Sequence, residues 1–243
     1  MNNLNPMWQA FMESGLVGQA IVLILFVLSI AVWTVAASKF FILFKVRRSN
    51  LDFLNRFHFP GRRLPLPDSS PPSPLFNPLS YLYWIGKKAV AAAEVEDNPG
   101  GGLNPEQREK IASELRQHAR QYLEALGKNQ IILATSGSVS PLLGILGTIW
   151  GVLIAFQEMG RSGNAGIEIV GPGMSEALIT TVAGLVVAIP ALAFYNYFNH
   201  TFDHLAGQME SFIEDFIERG AREKSETGGN QPTLPDNKSK RSI

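Results

Sequence analysis

Glu176 stands at the edge of an uncharged run, residues 177–199, and the residues before it, 167–174, are apolar apart from Glu168. A carboxylate inside hydrocarbon is costly unless it is paired, hydrated or protonated, so such groups mark ion paths. The bland alternative is that Ser175 caps a helix and Glu176 occupies its first turn, where the dipole favours negative charge. The apolar stretch upstream favours burial, because it lets the span begin before Glu176. Three hydroxyls extend the pattern. Thr180 lies one helical turn beyond Glu176, Thr181 follows it, and Thr148 sits in a second uncharged run, 129–157. A threonine hydroxyl can hold water or donate to a carboxylate, although each alone is a weak signal because threonine also bonds back to its own helix. Glu176, Thr148, Thr180 and Thr181 together make a sparse polar track through an otherwise dry wall.

Small residues recur at helical spacing beside that track. One stripe is Ser140, Gly144, Gly147, Gly151 and Ala155; the other is Ala177, Thr181, Gly184, Ala188 and Ala191. In lipid there is little hydrophobic drive between helices, so close backbone contact through small residues carries association. Pro190 frees the carbonyl of Val186 and is expected to kink its helix, and Pro141 is compatible with a bend or a helix start.

Other chemistries are excluded by composition and motif. There is no cysteine, so disulfides, thiolate metal sites and cysteine nucleophiles are ruled out, and the four histidines are scattered. No phosphate-binding loop, nucleophile elbow or zinc-binding helix motif occurs. The chain is therefore read as no enzyme, with no cofactor and no metal. With 21 basic and 21 acidic residues the net charge is zero, and no nucleic-acid partner is expected. An ion gradient remains as an energy source: one elementary charge falling through about 100 mV releases about 2.3 kcal/mol.

The elements that must position these residues are membrane helices. Charged residues make up 17% of the chain, against about 25% in ordinary soluble proteins. Three runs, 14–38, 129–157 and 177–199, carry no charge at all, and each exceeds the roughly 20 residues that cross a bilayer as a helix. The fold class is thus an all-α integral membrane protein with three transmembrane helices. Residues 1–38 contain no Lys or Arg, so the first run is no signal peptide. Residues 39–128 carry 14 basic residues, 158–175 only Arg161, and the segment beyond 200 six. That asymmetry places the N-terminus outside, the long middle segment inside, and the C-terminus inside.

The expected organisation follows. Residues 1–14 are a short periplasmic N-terminus and 15–44 the first span, bulky and lipid-facing. Residues 45–105 are a cytoplasmic segment holding a proline-rich linker at 60–78, with seven prolines. Within it, 79–95 reads as a short amphipathic helix, and Asn104-Pro105 starts another. Ile111, Leu115, Ala119, Tyr122 and Leu126 form one face, and 106–157 is expected to run unbroken from the cytoplasm into the second span. A periplasmic loop at 158–169, a third span at 170–199 and a cytoplasmic helix at 200–224 complete the ordered part. On that last helix Phe202, Leu205, Met209, Phe212 and Phe216 have the 3–4 spacing of a packing seam, for which the 106–128 helix is the expected partner. The tail 225–243 is expected to be disordered.

Residues 138–156 (SVSPLLGILGTIWGVLIAF) and 170–198 (VGPGMSEALITTVAGLVVAIPALAFYNYF) closely resemble the MotA/TolQ/ExbB proton channel family, in its ExbB/TolQ branch. The resemblance rests on Gly144, Gly147, Thr148, Trp150 and Gly151, then Pro172-Gly173, Glu176-Ala177, Gly184, Ala188-Ile189-Pro190-Ala191 and Tyr195-Asn196. It implies a bacterial inner-membrane homopentamer enclosing the single-span helices of an ExbD- or TolR-like dimer. Ion flow past the partner's aspartate would drive work on a TonB- or TolA-like transducer. Thr148 and Thr181 would then line the proton path, with Glu176 adjacent. Thr180 adds a hydroxyl where alanine is common in the family, and the linker at 60–78 is not a family hallmark. Two other classes compete: a passive membrane scaffold, and a secondary transporter, which three spans without an inverted repeat disfavour.

Overall fold

The computed structural model describes residues 15–57, 71–97, 103–164 and 166–228. Five helices appear among them: α1 (Leu16–Phe57), α2 (Pro78–Asp97), α3 (Pro105–Gly127), α4 (Gln130–Ser162) and α5 (Ile167–Gly228). No strand occurs among the described residues. Helices α1, α4 and α5 each contain a stretch long and apolar enough to cross a bilayer, and the protein is an all-α, multi-pass membrane protein.

Local sequence explains most of the helix ends. Helix α1 has no Gly or Pro after Gly18 and continues past its apolar stretch to Phe57. Helices α2 and α3 both open on proline, whose missing N–H is one of the donors a first turn leaves unpaired anyway. The Asn104 N–H donates to Gln107 Oε1 at 2.9 Å, the return half of a capping box.

Three expected boundaries differ from the structure. The helix read as unbroken over 106–157 is two helices, parted at Lys128-Asn129. Asn129 adopts the left-handed conformation, φ 66°, which asparagine tolerates better than most residues; Gly127 just before it lowers the cost of leaving the helix. The loop read as 158–169 is shorter, because α4 runs through Ser162 and α5 begins at Ile167. The polar residues that signalled a loop sustain the helix instead: Arg161 pairs with Glu158 three residues back at 3.1 Å. Gly163, at φ 66°, then ends α4 by donating its N–H to Met159 O at 3.1 Å. Helix α5 also passes the point where composition shifts at Ser225, reaching Gly228. The linker lies largely, and the N-terminus and the end of the tail wholly, outside the described residues.

The chain divides into two compact units. One comprises Val46–Glu124 and Leu205–Ile243. Its core brings together Phe53 and Phe57 of α1, Leu79, Leu82 and Ile85 of α2, Ile111 and Leu115 of α3, and Met209, Phe212, Ile213 and Phe216 of α5, all buried. The Phe212 ring meets Phe53 at 5.6 Å and Phe57 at 5.2 Å between centroids, both edge-on. The seam expected on α5 is therefore buried from Leu205 onward, but against the aromatic faces of α1 and α2 as well as α3. Arg116 of α3 reaches α5 through Glu210 at 2.7 Å. Tyr122 donates its hydroxyl to Leu75 O at 3.2 Å, fastening the end of the proline-rich segment to α3. The other unit, Met1–Lys45 and Ala125–His204, contains the candidate site.

Candidate functional site

The α4–α5 contact is nearly bare of side chains. Ser140, Gly144, Gly147, Gly151 and Ala155 of α4 are all buried, as are Ala177, Gly184, Ala188 and Ala191 of α5. The glycines mark where the backbones touch. A methyl group built on Gly144 would lie 3.0 Å from Thr181 Cα, and one on Gly151 would lie 2.7 Å from Gly173 O. One on Gly184 would lie 2.5 Å from Ser140 O, and one on Gly147 would overlap the Thr180 side chain. Both predicted stripes thus meet each other, giving the close backbone packing through which membrane helices associate.

The hydroxyls divide between two roles. Thr180 is 1% exposed and donates to Ala177 O at 2.8 Å on its own helix, while its side chain fills the space that Gly147 leaves open. Thr181 crosses the interface, donating to Gly144 O at 3.1 Å and, in a second arrangement, back to Ala177 O at 3.4 Å. Thr148 is half-exposed, and its hydroxyl bonds to Ile145 O at 2.6 Å, within α4. Thr180 and Thr181 are thereby brought against the glycines of α4, whereas the hydroxyl of Thr148 stays on its own helix. Pro141 and Pro190 both lie inside continuous helices; neither ends one.

Glu176 is 8% exposed and faces α1. Its Oε2 accepts the N–H of Gly15 at 3.4 Å, and Oε1 has no hydrogen-bond partner. A methyl group on Gly18 would overlap the carboxyl group. This corrects the expectation that the first span faces only lipid. One face of α1 does carry exposed Leu23, Phe26, Val27 and Ile30, but Ile21, Leu25, Val32 and Ala36 are buried on another.

Periodicity did not reveal several buried polar residues of this unit. Lys39 of α1, 6% exposed, donates to Leu126 O near the end of α3, where a cation complements the unpaired carbonyls, and lies 6.0 Å from the Phe202 ring. Gln130 at the start of α4 donates to Asn199 Oδ1 at 2.6 Å. Ser136 is buried with its hydroxyl lacking a partner, as is Ser140, which the small-residue stripe does include. A usable signal existed for α1: Gly15 and Gly18, three apart, open an otherwise bulky run.

Over residues 87–211 the chain matches the MotA/TolQ/ExbB proton channel family. It is 31% identical over 154 residues to the biopolymer transport protein ExbB of Xanthomonas campestris pv. campestris (strain B100), an alignment covering 61% of each protein. It is 29% identical over 221 residues to the Tol-Pal system protein TolQ of Pseudomonas aeruginosa, covering 86% of this chain and 90% of that one. A TolQ of Haemophilus influenzae is 38% identical over 94 residues, 41% of its length. The chain thus spans less than two thirds of the Xanthomonas relative and most of the Pseudomonas one.

Proposed function

The chain belongs to the MotA/TolQ/ExbB proton channel family, and from that premise we propose that it is the channel-forming subunit of an ion-driven motor in the bacterial inner membrane. In this reading five copies enclose the single-span helices of an ExbD- or TolR-like dimer. Protons descending their gradient pass between an aspartate of that dimer and the residues Thr148, Thr181 and Glu176 of this chain. The resulting motion is delivered to a TonB- or TolA-like transducer, for outer-membrane import or envelope maintenance. The N-terminus is periplasmic and the C-terminus cytoplasmic, as the distribution of basic residues implies.

The observation that carries the reading is Glu176: a carboxyl group more than nine-tenths buried in an apolar helix, with one oxygen unpartnered. A protein retaining such a group for packing alone would carry its desolvation cost with no return. The α4–α5 contact supports the reading by holding Thr180 and Thr181 on a backbone that cannot slide. Packing glycines Gly144, Gly147, Gly151 and Gly184, with Ala177 and Ala188, fix that register, and Pro141 and Pro190 are the proposed points of flexure.

Glu176→Gln removes the ionisable proton site at nearly constant volume, and Thr181→Ala removes the crossing hydroxyl. Both should assemble and reach the membrane normally while losing most ion-driven work, measured as transducer-dependent uptake or as envelope integrity. Full activity in both variants, with normal assembly, would refute the motor reading and favour a passive scaffold.

A further inference from the structure

We propose that α1 is part of the ion site: Gly15 and Gly18 form a seat that positions the Glu176 carboxyl group, and Gly18 is a positioning residue acting through it. The three nearest atoms to a methyl group built on Gly18 all belong to Glu176, with Cδ at 2.9 Å, Cγ at 3.3 Å and Oε1 closer still. The Glu176 side chain is therefore the nearest neighbour of this glycine. Gly15 lies at the start of α1, its carbonyl accepting the Gln19 N–H at 3.1 Å. Its own N–H donates to Glu176 Oε2 at 3.4 Å. A first turn leaves its amide donors without intrahelical partners and carries partial positive charge, so an acceptor from another helix is favoured there. The buried, unpartnered Oε1 is directed at the same short stretch of backbone.

The seat fixes both where the carboxyl group sits and how far it can swing. Room at residue 18 is limited to what a missing side chain provides. The carboxyl group is tied to α1 by a backbone donor, which any residue but proline would keep. An ion reaching Glu176 would therefore meet a group whose position is set by α1 as well as by α5. The seat's effect on ion-driven work rests on the proposed function; the contact itself does not.

Reciprocal substitution tests it in the full-length protein assembled in membranes. Gly18→Ala should displace the carboxyl group, lowering the melting temperature of the assembly and reducing ion-driven work at least tenfold. Glu176→Asp shortens the side chain by one methylene and vacates the space that an alanine methyl at position 18 needs. The double variant Gly18→Ala/Glu176→Asp should accumulate, melt and work better than Gly18→Ala alone, a rescue that general crowding of α1 would not give. In a Glu176→Ala background, Gly18→Ala should shift the melting temperature only as Gly160→Ala does. Gly160→Ala, where a methyl group meets nothing within 4 Å, controls for replacing glycine as such. The proposal is overturned if Gly18→Ala behaves like Gly160→Ala, if Glu176→Asp gives no rescue, or if the Gly18→Ala effect on melting persists without Glu176. If the melting data couple the two positions but Glu176→Gln and Thr181→Ala both keep full activity, the seat stands and the motor reading falls.

Discussion

Replacing Gly184 by alanine probes the α4–α5 contact where backbone meets backbone most closely. The added methyl would lie 2.5 Å from Ser140 O, 3.2 Å from Gly144 Cα and 3.3 Å from Gly144 N. All three are backbone atoms, so no side chain can rotate away. The facing helix must retreat by about 0.9 Å before the closest pair reaches the 3.4 Å of ordinary contact. A gap of about 0.5–1 Å forfeits a quarter to a half of the dispersion attraction of each affected pair, and here the loss extends along the stripe from Ser140 to Ala155. Overpacking of this kind costs about 1–3 kcal/mol, roughly 5- to 150-fold in the folded-to-unfolded ratio. For a chain of this size the melting temperature should fall by about 2–12 °C. The intrinsic helix preference of alanine over glycine opposes this cost, but the same gain appears in Gly160→Ala, so the difference between the two variants isolates the packing cost. Thermal denaturation of the purified assembly, monitored by helical circular dichroism, measures it. A Gly184→Ala protein melting level with Gly160→Ala would show that the helices are not in backbone contact there.

Phe212→Ala should destabilise by about 3–5 kcal/mol, the usual cost of deleting a fully buried ring, because Phe212 is 1% exposed beneath Phe53 and Phe57; a loss below 1 kcal/mol in the same melt would mean the aromatic layer is not packed. At Asn129, held at φ 66°, substitution by alanine should cost about 1–2 kcal/mol while glycine costs nothing measurable; equal stability of the two variants would place no left-handed residue between α3 and α4. The phenol of Tyr122 titrates above its ordinary value because burial removes it from water. Its contribution is therefore complete below the unfolded value of about 10. It is lost as pH rises beyond that, since the unfolded chain ionises first. Tyr122→Phe should accordingly flatten the alkaline limb of a stability–pH curve above about pH 10, and an unchanged limb would refute the burial.

Sequence and structure agree where one helix's own composition decides the outcome. Uncharged length located all three long apolar helices, 3–4 spacing located the buried faces of α3 and α5, and the small stripes marked the surface along which α4 and α5 touch. The helix break at Asn129 was missed because a single left-handed residue carries no periodic signal. The end of α4 was missed because Glu158 and Arg161 look like a loop in composition yet pair as helix neighbours. What a residue meets on another helix was the hardest to read. Glu176 stood out as a lone carboxyl group, but its direction towards α1 depends on tertiary placement that spacing on α5 alone leaves open. The burial of Lys39 beside Leu126 O depends likewise on a carbonyl 87 residues away.

Backbone-to-backbone contact leaves α4 and α5 no soft layer in which to store a displacement. A shift of either along the other would drive Cα atoms into carbonyl oxygens at Gly144, Gly151 and Gly184 simultaneously, so within this half of the molecule the two behave as one stiff plate. Relative sliding must then be accommodated at boundaries built from pliable side chains, such as the edge where Trp33 and Phe40 of α1 rest on Phe194 and Phe198. The glycine contact thus holds the register of α4 and α5, and give within this unit is left to its aromatic margins and to bending at Pro141 and Pro190.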